Sequence, residues 1–432
     1  MLPRRGGAQG KLQMLSRRIA SRAALILVAA AALFPPASGA QSPAPQTIRI
    51  GIIAEQSAIG GIGILRGAQL AADTINAAGG VDGRKLEIMT YDNHSSAADS
   101  VRAFQRAVSQ DHVVAVFGTY ISEVALALEP WAARLRVPFI TTGASSNEIS
   151  RQVHADYDKN KYTFQEYLPS MFIADSICDS VKQMLQLQFS VKSAVILSED
   201  AAWSTPLDAE YLVCLPKTGV KVLDHIRFSP DTGDFTPLFN RIEAQKPDVI
   251  VTGIGHVGVQ PTVQWAQQQM PIPMLGSSTQ ATSGTFWKDT NGAAAGIVTF
   301  SVAAEGADLT AKTQPFVKEY IKRFGDPPNY TAFTTADAVN VLAQAIKRAG
   351  ATDAEKLVVA LEQTDYVGTI GRVQFYGRDN EFTHAMKYGA GYVTGVALQW
   401  QNGKQVTLWP RAAPNVKIQF PAFTHLQPLP KN

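Results

Sequence analysis

Polar residues suited to binding an anion follow two short apolar runs in the first third of the chain. Ser122 comes after the run at residues 113–117, and Gly143 and Ser145 come just after the run at residues 137–141. Each of these loops leads into a helical pattern, and a helix N-terminus offers unpaired backbone N–H groups with a partial positive charge. The pattern therefore predicts a site for a carboxylate or a phosphate, to which the serine hydroxyls add two further polar groups.

Helix capping is the alternative role for the two serines. Ser145 and Glu148 have the S-x-x-E spacing of a capping box, and Ser122 has the side chain of an ordinary N-cap residue. A capping serine also presents the amides of its neighbours to a ligand. The two roles are therefore compatible, and the sequence leaves both open.

The two apolar runs predict short strands that lie close together. They are about five residues long, rich in Val, Ile and Phe, and do not alternate with polar residues, which indicates strands covered on both faces. Residues 123–135, between them, have helical spacing, so the unit is β–α–β with a right-handed crossover. Open α/β sheets bind ligands at the carboxyl ends of their strands, which is where the candidate residues fall.

Strand and helix patterns alternate through most of the chain, which predicts an α/β fold with two lobes. The first lobe begins with a strand at residues 48–53, a loop at 54–64 and a helix at 65–78, and the same alternation restarts near residue 193. Later segments lead back to the first lobe, so two Rossmann-like lobes share a multi-segment hinge. We assign residues 47–168 and 303–385 to lobe I, and residues 169–302 and 386–432 to lobe II.

The first 40 residues have the features of a secretory signal peptide. They contain six basic residues and no acidic residue, an apolar run at residues 23–34, and the small residues Ser38, Gly39 and Ala40 at the end. The apolar run is shorter than the roughly 20 residues that a membrane-spanning helix needs. We therefore expect an exported protein that resides in the periplasm.

Export changes how the charge and the cysteines are interpreted. Of the 39 basic residues, 33 follow residue 40 together with all 36 acidic residues, which leaves the mature chain a formal charge of −3. This charge does not favour nucleic acid as a partner. Outside the cytoplasm, Cys178 and Cys214 form either a disulfide or two buried free thiols, and the sequence does not decide between these.

Residue patterns typical of enzymes are missing from the sequence. The seven histidines lie far apart, at no metal-ligand spacing, and we interpret them as surface or loop residues. No G-x-S-x-G or P-loop motif occurs. The glycine-rich residues 61–67 resemble a dinucleotide fingerprint but have Arg66 in place of the third glycine, so we interpret them as a flexible loop. We expect no catalytic activity, no cofactor and no bound metal.

The chain resembles one family of binding proteins in five stretches that are spread over residues 47–400. They are IRIGII, RGAQLAADTINAAGGVDGRKLEIMTYDN, VVAVFG…VPFITTGASS, GDFTPLFNRIEAQKPDVIVTG and TTADAVNVLAQAIKRAG, of which the second and fourth are the most specific. In this order they resemble the exported substrate-binding proteins of ABC importers, specifically the branched-chain amino acid and amide type with the type I two-lobed fold.

The resemblance implies a ligand held between two lobes that close on it by a hinge motion. It assigns the ligand carboxylate to Ser122, Gly143 and Ser145, which match the family motif. It assigns an aromatic contact to Trp203, which follows the first strand of the second lobe. It further implies a monomer that delivers a small carboxylate-bearing solute to an ABC permease in the inner membrane.

Two departures from the family pattern bear on the identity of the ligand. Amino-acid binders of this type have an acidic residue after the strand at residues 274–276, whereas this chain has Ser-Ser-Thr at residues 277–279. The tyrosine that the family has near Gly255 is also absent. Because a buried ammonium without a partner costs several kcal/mol, either Glu199 or Asp200 substitutes, or the ligand has no ammonium.

We favour a ligand without an ammonium, namely a small carboxylate or amide that stacks on Trp203 or Tyr120. The alignment turns Ser278 toward the cleft, with helix capping as its alternative role. Two other functions remain open. One is a sensor of the same fold that signals to a membrane partner, and the other is an exported α/β enzyme, for which the sequence offers no nucleophile, base or metal set.

Overall fold

The computed structural model describes residues 47–410, 416–426 and 428–429. The predicted signal peptide lies outside the described residues. Among the helices of the described part, none combines the length and the apolar character that crossing a membrane requires.

The first sheet is the centre of one lobe. Its strands are β1 (Ile48–Ala54), β2 (Leu86–Asp92), β3 (Ala115–Phe117), β4 (Phe139–Thr141) and β5 (Thr163–Gln165). They are all parallel and lie in the order β2-β1-β3-β4-β5. The carboxyl ends of β1, β3 and β4 therefore meet at one edge of the sheet.

The second sheet is the centre of the other lobe. It contains β6 (Ser193–Glu199), β7 (Lys221–Phe228), β8 (Val249–Ile254), β9 (Met274–Ser278), β10 (Val298–Ser301), β13 (Val396–Gln401) and β14 (Lys404–Trp409). Their order is β14-β13-β10-β9-β8-β6-β7. The strands from β6 to β10 are parallel, and β13 pairs antiparallel with both β10 and β14. A short antiparallel pair, β11 (Tyr366–Val367) and β12 (Arg372–Val373), stands apart from both larger sheets.

Fourteen helices connect and flank these strands in the described residues. They are α1 (Ile59–Ala77), α2 (Ala97–Ser109), α3 (Ser122–Leu135), α4 (Asn147–Ala155), α5 (Tyr157–Asn160), α6 (Ser170–Ser180), α7 (Gln186–Phe189), α8 (Ser204–Lys217), α9 (Thr236–Gln245), α10 (Val259–Gln267), α11 (Phe286–Asp289), α12 (Thr313–Phe324), α13 (Tyr330–Ala349) and α14 (Ala354–Glu362). A π-helical segment, Val181–Leu185, joins α6 to α7.

The chain returns to the first lobe after β10. Helix α13 begins where the Asn329 side chain accepts a hydrogen bond from the N–H of Ala332, and it ends at Gly350, whose left-handed φ of 59° suits glycine. It packs along α1 of the first lobe. The structure thus confirms the predicted α/β fold with two lobes, while the exact lobe boundaries stay a prediction.

Helix α1 begins six residues earlier than the sequence pattern predicted. The glycine-rich segment at residues 61–67, which we interpreted as a flexible loop, lies within the N-terminal part of this helix. A Cβ atom at Gly60 would lie 2.5 Å from the ring of Tyr120, and one at Gly61 would collide with the backbone of Glu55. These glycines therefore allow close packing against neighbouring segments, and their low helix propensity is outweighed by that tertiary contact.

His384, interpreted as a surface or loop residue, lies in a turn but is only 1% exposed, with its ring stacked 4.0 Å from that of Phe164. Beyond Trp409, where the sequence shows little pattern, residues 416–426 pack on the second lobe. There Phe423 contacts Trp265, with ring centroids 5.0 Å apart, and the N–H of His425 donates to the carbonyl of Pro271.

A disulfide joins Cys178 on α6 to Cys214 on α8, which settles the alternative that the sequence left open. The two cysteines are 36 positions apart in the sequence, and both are buried. In the chain-entropy model, closing a loop of this length removes freedom from the unfolded chain and stabilises the fold by about 2–4 kcal/mol.

We predict that the double variant C178A/C214A loses about 2–4 kcal/mol of unfolding free energy. Urea denaturation of the oxidised wild type and the variant measures the difference. A reducing agent provides the control, since it should destabilise the wild type by a similar amount and leave the variant unchanged. Equal stability of the variant and the oxidised wild type would contradict the prediction.

Candidate ligand-binding cleft

A small cavity lies between the carboxyl ends of the two larger sheets. From the first lobe it receives residues that follow β3, β4 and β5, and from the second lobe residues that follow β6 and β8 or lie at the end of β9. Helices α6 and α13 complete it. Its walls are formed by Tyr120, Gly143, Ser145, Tyr167, Ile173, Trp203, Gly255, His256, Ser277, Thr279 and Tyr330.

Tyr120 is held at the cavity by close packing of the first lobe. A Cβ atom at Gly143 would lie 2.8 Å from the Cβ of Tyr120 and 2.8 Å from Cγ2 of Thr331, so this position requires glycine. Burial raises the pKa of Tyr120, and the negative charges of Glu55 and Glu199 raise it further. The phenol therefore stays neutral and remains able to donate a hydrogen bond to a ligand.

Ser122 ties together the two loops in which the sequence placed an anion site. It is the first residue of α3, and its hydroxyl oxygen accepts hydrogen bonds from the N–H groups of Ser145 and Ser146, at 3.2 and 3.1 Å. These two amides, just before α4, already have a partner, so the N-terminus of α4 offers a ligand fewer free donors than we expected. Ser122 itself lies beside the cavity and not among the residues that line it.

Helix α4 has a different cap from the one predicted. The side chain of Ser146 accepts from the N–H of Glu148, at 3.3 Å, whereas we assigned this role to Ser145. The Ser145 hydroxyl instead lies 3.1 Å from that of Ser170 at the start of α6. Ser145 is thereby left on the cavity wall, and its proposed contact with a ligand stays a prediction.

Glu199 organises the wall that the second lobe contributes. Its side chain has no exposed surface, and its two oxygens accept four hydrogen bonds of 2.7–2.9 Å. Oε1 accepts from the indole N–H of Trp203 and from Nδ1 of His256, and Oε2 accepts from the backbone N–H groups of Gly255 and His256. Trp203, predicted to pack on the ligand, is 8% exposed and lies at the cavity as expected from its position.

Glu199 and His256 form a charged pair. Burial alone would raise the pKa of Glu199, but the hydrogen bonds and positive charge of His256 and the amide of Gly255 lower it below its ordinary value. Burial alone would lower the pKa of His256, but the hydrogen bond and charge of Glu199 raise it, with help from Glu123 and Glu55. The imidazole is therefore more readily protonated than a free histidine.

Neither of the two acids proposed as a substitute ammonium partner points into the cavity. All four hydrogen bonds of Glu199 go to the protein, and Asp200 is paired with Arg227 at 2.7 Å with 73% of its side chain exposed. Among the residues that line the cavity, none carries a carboxylate. An ammonium group in this cavity would therefore have no carboxylate among the lining residues to pair with.

Strand alternation explains where Ser278 lies. Successive side chains of a strand point to opposite faces, and the structure places Ser277 and Thr279 on the cavity wall. Ser278, which the alignment turned toward the cleft, is buried beside it, and its N–H donates to Oγ1 of Thr299 at 3.0 Å. The expected cleft residue is thus replaced by its two neighbours.

His256 is a residue of the cavity wall that the sequence did not predict to be there. His256 has no partner at metal-ligand spacing in the sequence, so we interpreted it as a surface or loop residue. The signal that marks it is its position two residues after β8, at the same edge of the sheet as Trp203. Tyr167 and Tyr330, which also line the cavity, were not singled out either.

Two contacts cross from the first lobe to the second at the cavity. The carboxylate of Glu123, on the first turn of α3, accepts a hydrogen bond from the N–H of Ala202 at 2.7 Å. The rings of Tyr120 and His256 lie 6.5 Å apart, tilted by 38°. The two lobes therefore meet over the cavity in this structure.

Two α/β lobes around a shared cavity define the class of bilobal solute-binding proteins. A family model described as periplasmic binding protein matches residues 47–390, and the chain belongs to this family. Membership implies a location outside the cytoplasm. The chain is also similar to Leu/Ile/Val-binding protein homolog 7 of Brucella suis, with 25% identity over 82% of this chain and 89% of that protein.

Solved structures with the same fold include two with a bound ligand. One is the substrate-binding protein LivJ of the branched-chain amino acid transporter from Streptococcus pneumoniae, in complex with isoleucine. It has a TM-score of 0.71 and 23% identity, and the match covers 83% of this chain and 97% of LivJ. The other is an ABC transporter solute-binding protein of R. palustris in complex with benzoate, with a TM-score of 0.72, 19% identity and coverage of 84% and 95%.

We predict that Glu199→Gln destabilises the protein most between about pH 4.5 and pH 6.5, where both members of the pair are charged. The contribution of Glu199 is present above the ordinary carboxyl pKa of 4.5 and is lost as the pH falls through its lowered folded pKa. The contribution of His256 is present below the ordinary imidazole pKa of 6.5 and is lost as the pH rises through its raised folded pKa. Breaking a buried pair costs about 3–5 kcal/mol in this window.

Urea unfolding of wild type and variant, repeated in steps of about one pH unit from about pH 3.5 to about pH 9, measures this window. Glu87→Gln is the control, because it removes an exposed carboxylate paired with Arg49, and it should change stability by less than about 1 kcal/mol. A loss in Glu199→Gln that is the same at every pH would show that the charged pair is not its cause.

Proposed function

We propose that this protein is the solute-binding component of an ABC importer and captures a small carboxylate-bearing solute between its lobes. The observation that carries the proposal is the cavity itself, where hydroxyl, phenol, indole and imidazole groups from both lobes converge. Convergent polar groups within aromatic walls are typical of sites for small organic ligands. Membership of the periplasmic binding protein family supports binding without chemical conversion of the solute.

The charge of the cavity favours an acid over an amino acid. Its lining residues offer neutral donors and one imidazole, and no carboxylate to neutralise an ammonium. Four aromatic side chains at the walls, Tyr120, Tyr167, Trp203 and Tyr330, suit an apolar or aromatic body. Ligand-bound neighbours of both classes exist, for example one with isoleucine and one with benzoate.

The proposed mechanism is stabilisation of the closed state. A ligand that contacts both lobes binds the closed form more tightly than the open form, so its binding shifts the population toward closure. Contacts such as that of Glu123 with the Ala202 amide form only when the lobes meet, and they add to the stability of the liganded form. A permease in the inner membrane then receives the solute from the closed protein, which acts as a monomer.

The proposal is tested by a melting-temperature screen of residues 41–432 after unfolding and refolding to remove bound solute. The probes include L-leucine, 4-methylpentanoate (leucine without its ammonium), 4-methylpentanamide, benzoate and benzamide. A probe at 100 times its Kd adds about 2.7 kcal/mol of stability, which raises the Tm measurably. We expect a shift with at least one acid. A shift with L-leucine alone would contradict an acid-selective cavity, and no shift with any probe would overturn the proposed solute class.

We predict that Glu123→Ala weakens binding of the responsive acid by about 3-fold to 10-fold. The carboxylate of Glu123 is exposed, so its hydrogen bond to the Ala202 amide contributes less than a buried charged hydrogen bond. Because the contact exists only in the closed form, the change should appear mainly as faster dissociation, which stopped-flow mixing measures.

The matched control for this prediction is Glu319→Ala. Glu319 is an exposed acid on α12 that pairs with Lys322 within its own helix and makes no contact across the cavity. Its removal should leave the association and dissociation rate constants of the acid unchanged. If Glu123→Ala dissociates as slowly as this control, the contact does not stabilise the closed state.

A further inference from the structure

His256 is the one residue on the cavity wall that can carry a positive charge. Its Nδ1 lies 2.7 Å from Oε1 of Glu199, so Nδ1 carries a proton that it donates to this carboxylate. Nε2, on the opposite side of the ring, has no hydrogen-bond partner within the described residues, and 27% of the side chain is exposed. The free ring nitrogen is therefore available to a ligand.

The charge state of the imidazole decides what Nε2 can bind. In the neutral ring Nε2 is an acceptor, whereas in the imidazolium it is an N–H donor with a positive charge. The charged groups that face the ring from neighbouring elements are Glu199 at the end of β6, Glu123 on α3 and Glu55 after β1, and all three are acidic. Tyr120 packs beside the ring and is neutral. These surroundings favour the imidazolium.

The first lobe offers a weaker site for a negative charge. The N–H groups of Ser145 and Ser146 are already taken by the hydroxyl of Ser122. The remaining polar groups on that side, such as the Ser145 hydroxyl and the Tyr120 phenol, are uncharged. A carboxylate gains more from a charged donor than from neutral ones, because charge-assisted hydrogen bonds are roughly twice as strong.

We propose that the ligand carboxylate binds to the imidazolium Nε2–H of His256, on the second lobe, and that His256 selects acids over amino acids and amides. This inference rests on the proposed function and deepens it. The ligand lies in the cavity with its acid group toward the second lobe, which is the reverse of the placement on Ser122, Gly143 and Ser145 that the family resemblance implies. Glu199 acts as a positioning residue that holds the ring and keeps it protonated.

The chain contains a matched control for this histidine. His225, on β7, pairs through Nε2 with the buried carboxylate of Asp208 at 2.9 Å, and its side chain is 28% exposed. It is thus a second half-buried histidine in a carboxylate pair of the same lobe. It does not line the cavity. His225→Gln therefore removes a histidine–carboxylate pair of the same lobe without touching the proposed site, and Asp208 keeps Arg227 as a partner.

The test is calorimetric titration of wild type, His256→Gln and His225→Gln with the five probes of the melting screen. We expect 4-methylpentanoate or benzoate to bind wild type at least 10-fold more tightly than the corresponding amide and, for the aliphatic acid, than L-leucine. His256→Gln should weaken the acid by about 10-fold to 100-fold and change the amide by less than about 3-fold. His225→Gln should leave the affinities for the acid and for the amide unchanged.

A second measurement uses the unaltered protein, so it does not depend on the folding of a variant. Affinity for the acid should fall as the pH rises through the pKa of His256, by up to about 10-fold per pH unit beyond it, while affinity for the amide stays constant. Acid binding that is independent of pH up to pH 9, or unchanged in His256→Gln, would overturn the inference and leave the proposed function standing. Failure of all probes to bind wild type would instead overturn the proposed function, and the inference with it.

Discussion

Complete burial of the Glu199 carboxylate is the constraint on which the second-lobe wall of the cavity depends. A carboxylate without exposed surface is tolerated only when its oxygens are paired, since an unpaired buried charge costs several kcal/mol. Its four donors come from the loop after β8 and from the N-terminal end of α8. Meeting this requirement fixes the backbone at Gly255 and the rings of Trp203 and His256 in one arrangement.

The first-lobe wall is determined by shape more than by charge. Tyr120 lies between Gly60 and Gly143, and neither position has room for a Cβ atom beside the tyrosine. The hydroxyl of Ser122 then holds the loop after β4 to the start of α3 through two backbone amides. Close packing of this kind orients the phenol without any buried ion pair, so the first lobe presents neutral groups to the cavity.

The parts of the fold that follow from local patterns were predictable from the sequence. The apolar run before Gly143 forms β4, and Gly350 ends α13 in the left-handed conformation that glycine favours. The start of α1 was missed because its glycines serve contacts distant in sequence, which local propensity does not contain. Strand β14 was also missed, although Asn402-Gly403 before it is a strong hairpin signal, with both residues at positive φ.

The site was predictable in position but not in chemistry. The rule that ligands bind at carboxyl ends of parallel strands singled out the loops of Tyr120, Gly143 and Ser145, and the family resemblance singled out Trp203; all four line the cavity. It could not show that Ser122 uses its hydroxyl on the backbone, because that depends on the distance between two loops. Nor could it show the pairing of His256 with a carboxylate 57 positions earlier in the chain.

The two lobes contribute different kinds of groups to the cavity. Shape and neutral donors lie on the first lobe, whereas the single lining residue able to carry positive charge lies on the second. A ligand that bound the open protein would contact only one of these sets, and its acid group would stay solvated, where a charged hydrogen bond contributes little. When the lobes meet, water leaves the cavity and the same hydrogen bond strengthens because the local dielectric falls. Under the proposed function, affinity therefore belongs to the closed state, so the acid that binds would also be the agent that closes the lobes.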